Sequence, residues 1–317
     1  MASAPRPPRS SVLSIGVFDG VHLGHRFTLA QARAAADARG ADLVVVTFDP
    51  HPLAVLRPER APKMLTTLEQ RLALLEETGV DAVFVLTFDE AASLQSAPSF
   101  VEELLVAHLG AAEVLVGEDF RFGHDRAGDV ELLRNLGAQL GFEVSGLALS
   151  AHEGDAISST RIRALLAAGE VEGAAELLGR PHEAWAPVVH GDGRGGAELG
   201  YPTANLGLSP DQVLPGDGVY AGWYRDEALG PRPAAISVGR RPTFLEGAEP
   251  IIEAFVLDLD EDLYGRQAGV SFLARLRGEE RFESVEDLIA QMGLDAKAAH
   301  ELCAARSEEA PRGPIPC

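Results

Sequence analysis

Only two lysines, Lys63 and Lys297, occur among the 317 residues, and only two cysteines, Cys303 and Cys317. One cysteine falls in an expected helix and the other is the last residue, so neither a disulfide framework nor a cysteine metal site is expected, which fits a reducing, cytoplasmic setting. No uninterrupted apolar run approaches the roughly 18 residues of a membrane-spanning helix. The first ten residues hold three prolines and two arginines. They lack the apolar stretch of a secretory signal and read as a frayed lead-in. Positive charge is scarce overall: 27 Lys and Arg face 48 Asp and Glu, a formal net charge of −21. A nucleic acid would be repelled as a partner. Small anions can still bind where a few cations and backbone N–H groups converge.

What is present is apolar residues, 46% of the chain, enough for packed cores and too many for wholesale disorder. At this length two domains are the expectation. The first half alternates short β-branched runs with helical periodicity. Val12 to Val17, Leu43 to Phe48, Ala82 to Phe88, Val114 to Val116 and Glu143 to Leu149 read as strands. Between them, Phe27 to Ala38, Thr67 to Thr78 (capping box Thr66 and Glu69), Ser99 to His108 (Ser99 and Glu102) and Val130 to Leu140 read as helices. Such alternation predicts a parallel sheet with helices on both faces, and ligands gather beyond the carboxyl ends of its strands.

Three loops lie at that end. Gly16-Val17-Phe18-Asp19-Gly20-Val21-His22-Leu23-Gly24-His25 joins a buried strand to a helix. His22 and His25 stand three apart, so both rings can face the point at which the helix N-terminus aims its free N–H groups, an arrangement suited to phosphate. Asp49-Pro50-His51-Pro52 is either punctuation or a device that presents His51. The third loop, Gly117 to Arg126, is dense in charge and aromatics, and reads as a solvated loop or as a substrate lip. Farther on, Ile157-Ser158-Ser159-Thr160-Arg161-Ile162-Arg163 opens a helix running to Ala168. Arginine in a first helical turn opposes the macrodipole, and an anion bound there relieves the conflict, so this start reads as a second anion clamp.

After a further helix, Val171 to Leu178, and the break at Gly179-Arg180-Pro181, the pattern changes. Ala186 to Val189, Gly218 to Tyr224, Ala234 to Val238, Ile251 to Leu257 and Gly269 to Leu276 are apolar runs separated by turn residues, with no helices between them, as in a small antiparallel barrel. Two helices, Ser284 to Met292 and Leu294 to Ala305, follow. The glycine loop containing Gly193, Gly195 and Gly196 reads as a flexible turn or as bare backbone approaching phosphate. Thr203 and Asn205 alternate on an extended segment, so their two hard oxygens share one face; they read as ordinary turn residues or as ligands for Mg²⁺ completed by phosphates and water. Glu253 sits inside an apolar strand, where an outward carboxylate is the ordinary reading. The expected domains are 1–182 and 183–306, with 307–317 a loose tail.

His22-Leu23-Gly24-His25 after a strand resembles the nucleotide-binding motif of the nucleotidyltransferase superfamily. The strings GVFDGVHLGH, TFDPHP, VGEDFRFG and ISSTRIR, in order, resemble the adenylyltransferase module of the bacterial bifunctional riboflavin kinase/FMN adenylyltransferase family, also called FAD synthetases. GYPTANL, DGVYAG, SVGRRPTF, LDLDEDLYG and FLARLRGEERF resemble the riboflavin kinase module. The resemblance implies a Rossmann-like α/β nucleotidyltransferase domain followed by a riboflavin kinase β-barrel with C-terminal helices. It implies ATP on Gly16, Phe18, His22 and His25, with the histidines stabilising charge as the α-phosphate is attacked. Asp119 would hold ATP or the leaving pyrophosphate, Ser159, Thr160 and Arg163 would grip phosphates, and Phe122, with Arg121 beside it, would border the flavin. In the kinase module it implies phosphate at the glycine loop, Mg²⁺ on Thr203 and Asn205, and Glu253 as proton acceptor. Riboflavin, FMN and ATP are then the small-molecule substrates, with no nucleic acid or membrane partner. Phe255 departs from a frequent His, Leu259 from a common Phe, and Gly196-Ala197 from a frequent Arg. Rival readings are a chain with one working module, or a non-catalytic flavin or nucleotide sensor. Oligomeric state is not legible.

Overall fold

The computed structural model describes residues 10–148, 151–152, 155–190, 203–240, 250–259, 261–312 and 315. By its internal packing the chain divides into two units: one comprises residues up to 62 together with 70–157, the other 63–69 together with 158 onward.

The first unit is built on five parallel strands, β1 Ser11–Ile15, β2 Asp42–Asp49, β3 Ala82–Thr87, β4 Ala111–Gly117 and β5 Glu143–Leu147, in the order β3-β2-β1-β4-β5. β1 is central and buried along its whole length, as its unbroken small and apolar run requires. Helix α1, Leu23–Arg39, follows β1 and ends on Gly40 at φ 60°, a left-handed cap that glycine adopts without strain. The short α2, Pro52–Leu56, then α3, Leu68–Glu76, and α4, Glu90–Ser93, come next. The helix expected from Ser99 starts earlier, as α5, Ala97–Ser99, which continues as a π-helix over Phe100–His108. Its cap is Ser96, whose Oγ accepts from the Ser99 N–H at 3.2 Å, while Ser99 Oγ donates to Glu103 at 2.8 Å. Pro98, in the first turn, lacks an N–H that would go unbonded there anyway, so the earlier start costs nothing. Helix α6 spans Val130–Leu140 as expected. The sheet order changes direction between β1 and β4, and this switch point is where an open α/β sheet leaves a crevice beyond its strand ends. The loops after β1 and β4 flank it.

The first unit ends in the two-residue strands β6 Ala151–His152 and β7 Asp155–Ala156, and the second opens with α7 Ser159–Ala168 and α8 Val171–Leu178. Six strands then close a barrel: β8 His182–Val189, β9 Thr203–Leu206, β10 Gly218–Asp226, β11 Arg232–Arg240, β12 Pro250–Val256 and β13 Gln267–Arg277, ordered β10-β11-β12-β9-β8-β13. All described pairings are antiparallel. The interior is filled by the alternate residues of each strand, among them Ala204, Leu206, Ile236, Ile252 and Ala254, all nearly inaccessible.

Two expectations for the C-terminal end are corrected. One helix, α9 Val285–Ala305, replaces the expected pair. Gly293 lies inside it and weakens it by about 1 kcal/mol relative to alanine, but Gln291 before that point donates to Asp295 after it at 2.9 Å, and the helix beyond is anchored. Arg277 grips Asp295 with its Nε and Nη2, and Cys303 packs against Trp223 and Leu273 while its thiol donates to the Gly222 carbonyl at 3.1 Å. The tail expected to be loose is bound where it is described. Ala310 joins the Trp223 cluster, the Arg312 carbonyl accepts from Arg225 at 2.9 Å, and Ile315 is buried. An apolar contact and a charge-assisted hydrogen bond hold it there, and the proline content had given no sign of either.

Candidate functional site

Beyond β1 the chain does not run straight into α1. Gly16 N–H still donates to the Val46 carbonyl at 3.1 Å, extending the sheet by one residue. The backbone then turns left-handed at Phe18 (φ 53°), Gly20 (φ 80°) and Val21 (φ 39°). For a β-branched residue such as Val21 that conformation is strained, and it persists because packing over-determines it: Phe18 and Val21 are buried against Leu29, Val45 and Leu75. The Phe18 ring folds back over Gly16, where an added Cβ would lie 3.3 Å from the ring, and presents an edge to His25 at 5.1 Å between centroids.

This turn delivers the histidine pair. His22 caps α1, its Nδ1 accepting from the His25 N–H at 3.3 Å, which leaves the proton of the neutral ring on Nε2. The two rings stack at 3.6 Å and 16°, and Gly24 passes so close that a Cβ there would stand 3.2 Å from the His22 ring. Burial, and then the neighbouring His22, hold the His25 imidazole well below its ordinary value of 6.5. It is therefore an uncharged ring at neutral pH. Its Nδ1 is buried without a hydrogen-bond partner. Beneath the loop lies a residue that sequence reasoning passed over: Arg71 of α3, 1% exposed, donates to the carbonyls of Val17 and Phe48. His51 acts as a cap, its Nδ1 accepting from the Leu53 N–H at the start of α2.

Across the switch point, the loop after β4 holds Asp119 and Arg121 exposed. Arg121 Nη1 donates to the Phe120 carbonyl, and the Asp119 carboxylate curls back to within 2.9 Å of where a Cβ on Gly117 would sit. Phe122 is buried, 7% exposed, in the core beside Phe100, with Phe120 stacked on it at 5.4 Å and 15°. The half-buried Phe120 is thus the outer ring of the stack, one that sequence reasoning passed over. Phe122 and Gly128 exchange two backbone hydrogen bonds that close the loop into a rigid bend.

In the second unit, α7 opens on Ser158, whose Oγ accepts from the Arg161 N–H at 3.2 Å. The cap is therefore Ser158, which leaves the hydroxyls of half-buried Ser159 and exposed Thr160 in the first turn with other roles. Arg163 lies one turn on, its Nε donating to the Lys63 carbonyl at 2.6 Å.

On the barrel the register assembles what lies far apart in sequence. Asn205 pairs directly with Glu253, and Thr203 with Phe255. Glu253 pairs in turn with Ser237 of β11. Directly opposed residues share a face of a sheet with Cβ atoms about 5 Å apart. Ser237, Glu253 and Asn205 therefore form one row on the barrel's outer face, opposite to the buried Ala204, Ala254 and Ile252. Glu253 is exposed, so it can meet substrate. Asn205 is 8% exposed, its Nδ2 donates to the Thr203 carbonyl at 3.5 Å, and its Oδ1 is buried without a hydrogen-bond partner. An unsatisfied carbonyl oxygen beside a carboxylate fits a hard cation such as Mg²⁺. Among the described residues no group of three His, Cys, Asp or Glu could hold a metal by itself, so any cation here would depend on substrate oxygens as well. Gly193, Gly195 and Gly196 lie outside the described residues. Ser237 was missed because only strand register brings it beside Glu253.

Anion handling at a sheet switch point, and hard-oxygen and carboxylate chemistry on a separate barrel, define a two-module transferase that works on nucleotide phosphates. The family model for FAD synthetase matches residues 4–161, and that for riboflavin kinase matches residues 178–303. The chain belongs to the bifunctional riboflavin kinase/FMN adenylyltransferase family. It is 40% identical to the enzyme of that name from Escherichia coli K12 over 93% of both chains. It is 38% identical to that of Pseudomonas fluorescens over 93% of this chain and 94% of the other, and 33% identical to that of Bacillus subtilis over 91% of each. A crystal structure described as a macrolide-efflux protein from Streptococcus pneumoniae superposes with a TM-score of 0.83 at 33% identity, covering 92% of this chain and 94% of that one. Among the described residues no helix is long and apolar enough to cross a membrane.

Proposed function

We propose that the family's two reactions are divided between the two motif sets. In this reading the barrel transfers the γ-phosphoryl group of ATP to riboflavin, giving FMN and ADP. The α/β domain then joins FMN to the adenylyl group of a second ATP, giving FAD and pyrophosphate. One observation carries the assignment: each motif set holds a buried polar atom with no protein partner, His25 Nδ1 in one and Asn205 Oδ1 in the other. Leaving such an atom unsatisfied costs about 1–3 kcal/mol, a cost removed when a ligand supplies the missing partner.

The kinase nucleophile is a neutral ribityl hydroxyl, so its attack is helped by a proton acceptor, and Glu253 takes that proton. Asn205 Oδ1, with Thr203, is the protein's contribution to a Mg²⁺ site, and the ion when bound neutralises charge on the ATP phosphates. Glycines 193, 195 and 196, outside the described residues, take their phosphate-binding role from the motif alone. In the adenylyl step the FMN phosphate is already an anion at neutral pH and needs no base. The task there is to align two polyanions and offset their repulsion. His22 and His25 present ring N–H groups to the ATP phosphates beside the N-terminus of α1, and Gly16 and Phe18 shape that floor. Asp119 holds ATP or pyrophosphate, and Phe122 with Arg121 borders the flavin. The motif resemblance gives Ser159, Thr160 and Arg163, at the start of α7, a phosphate-gripping role as well.

The adenylyltransferase domain runs 1–182 and the kinase domain 183–306, a division supported by the separate ranges over which the two family models match. A cytoplasmic location fits a chain with only two cysteines. The test is a time course of purified protein with riboflavin, ATP and Mg²⁺, the flavins being separated at each point. FMN is expected first and FAD after it. A course in which neither forms, or in which chelation of Mg²⁺ leaves the first step unchanged, contradicts the reading.

A further inference from the structure

We infer that Arg71 is a positioning residue for adenylyl transfer: its guanidinium clamps the carboxyl ends of β1 and β2 together and so fixes the backbone turn from which His22 and His25 are aimed. This rests on the reading of those histidines as the nucleotide phosphate site.

The geometry is that of a fork holding two strands. Nη1 donates to the Val17 carbonyl at 3.1 Å and Nη2 to the Phe48 carbonyl at 3.0 Å, with Nη2 also 3.6 Å from the Asp49 carboxylate. Val17 lies two residues past β1, within the motif loop, and Phe48 is the penultimate residue of β2, so the two acceptors stand where the chain leaves the sheet after each strand. A cation 1% exposed is costly to bury unless its donors are used, and its place here shows what it is used for. The Val17 carbonyl also accepts from Thr47 Oγ1 at 2.9 Å, and Thr47 is fully buried. Both lone pairs of one carbonyl are thereby engaged from below.

The next residue is Phe18, a non-glycine held at φ 53°. A left-handed phenylalanine persists only where its surroundings leave it no alternative. Arg71 and Thr47 fix the peptide on one side of it, and its ring, lying over Gly16 and edge-on to His25, passes that constraint to the imidazole. Arginine suits the role and lysine does not, because only a planar fork reaches two carbonyls in fixed directions at once.

The test uses the full-length protein with Arg71→Lys and Thr47→Val. Displacing a reacting geometry by about 1 Å can cost on the order of a hundredfold. Arg71→Lys is expected to lower kcat for FAD formation from supplied FMN by roughly 10- to 100-fold, with KM for ATP moving less than about threefold. Riboflavin phosphorylation by the same preparation should stay within about twofold, and the His25 imidazole, followed by NMR in histidine-labelled protein, should titrate closer to 6.5 as its packing loosens. Thr47→Val should give a smaller change of the same kind, and it carries the test if Arg71→Lys does not fold. The inference is overturned by a wild-type rate of FAD formation in the folded variant, by equal loss of both activities, or by lost activity with an unmoved His25. His25→Ala run alongside separates two failures. Inactive His25→Ala with normal Arg71→Lys removes only the positioning role, whereas active His25→Ala removes the phosphate-site reading on which it rests.

Discussion

An imidazole that stays neutral at physiological pH lies at the centre of the proposed adenylyl site. His25 is held low first by burial and then by the stacked His22, so in the free enzyme it offers a hydrogen-bond donor in place of a formal charge. The same shift links to stability. Unfolded, His25 takes a proton as pH falls through 6.5, while the folded state refuses it until a lower pH. Its contribution is therefore full above 6.5 and is lost progressively as pH falls from there toward the folded value. In His25→Gln the urea midpoint should vary less with pH below 6.5 than in the parent, and an unchanged slope would mean the ring is not held neutral. At the other site, Asn205→Ala removes the buried Oδ1 and should raise the Mg²⁺ concentration needed for half-maximal FMN formation about tenfold, while Asn205→Asp, which keeps an oxygen there, should need far less. Neither unpartnered atom was visible in sequence. The motif letters gave the residue types, but which atom is left without a partner depends on the whole surrounding pack.

Among the elements, those with strong local signals were read best. Helix α6 and helix α8 have the expected limits, because each is closed by a left-handed glycine, Gly141 or Gly179, and carries a clear apolar stripe. The π-helix after Ser99 and the single α9 were misread, because in both a later sequence signal (Ser99, Gly293) stood inside an element whose start and continuity were set by Pro98 and by tertiary packing. Arg71 was not singled out in sequence, because helical periodicity marks only the apolar positions of α3. Nothing local reveals that two strand ends supply its acceptors. Five of the six described barrel strands were legible as runs, all but β9, yet the row Ser237-Glu253-Asn205 was not, since register between distant strands sets it. A prediction at this scale concerns α8. Gly173 stands inside that helix, and an added Cβ would make only ordinary contact with Leu165 at 3.7 Å. Gly173→Ala should therefore stabilise the protein by about 0.5–1 kcal/mol, read as a raised urea midpoint with m unchanged. A lowered midpoint would show that the helix needs the glycine for a reason its packing does not reveal.

At the scale of the whole molecule, two folds with unrelated architecture, a parallel sheet and a closed antiparallel barrel, each carry charge-handling side chains. The sequence announced both through ordered motifs and through the change from helix-and-strand alternation to strands alone. The division by packing falls at residue 157, ahead of α7, whereas the change of pattern in the sequence lies near 182, because α7 and α8 are helical in sequence but pack with the barrel unit. If each reaction belongs to its own motif set, one substitution per set should separate them cleanly. The most direct measurement follows FMN and FAD in parallel for His25→Ala and Glu253→Gln. His25→Ala should convert riboflavin to FMN at the parental rate and stop there, with FAD formation down at least about a hundredfold. Glu253→Gln should slow FMN formation by roughly 10²- to 10⁴-fold while turning supplied FMN into FAD as the parent does. Loss of both reactions in either variant, or of neither, would contradict the account.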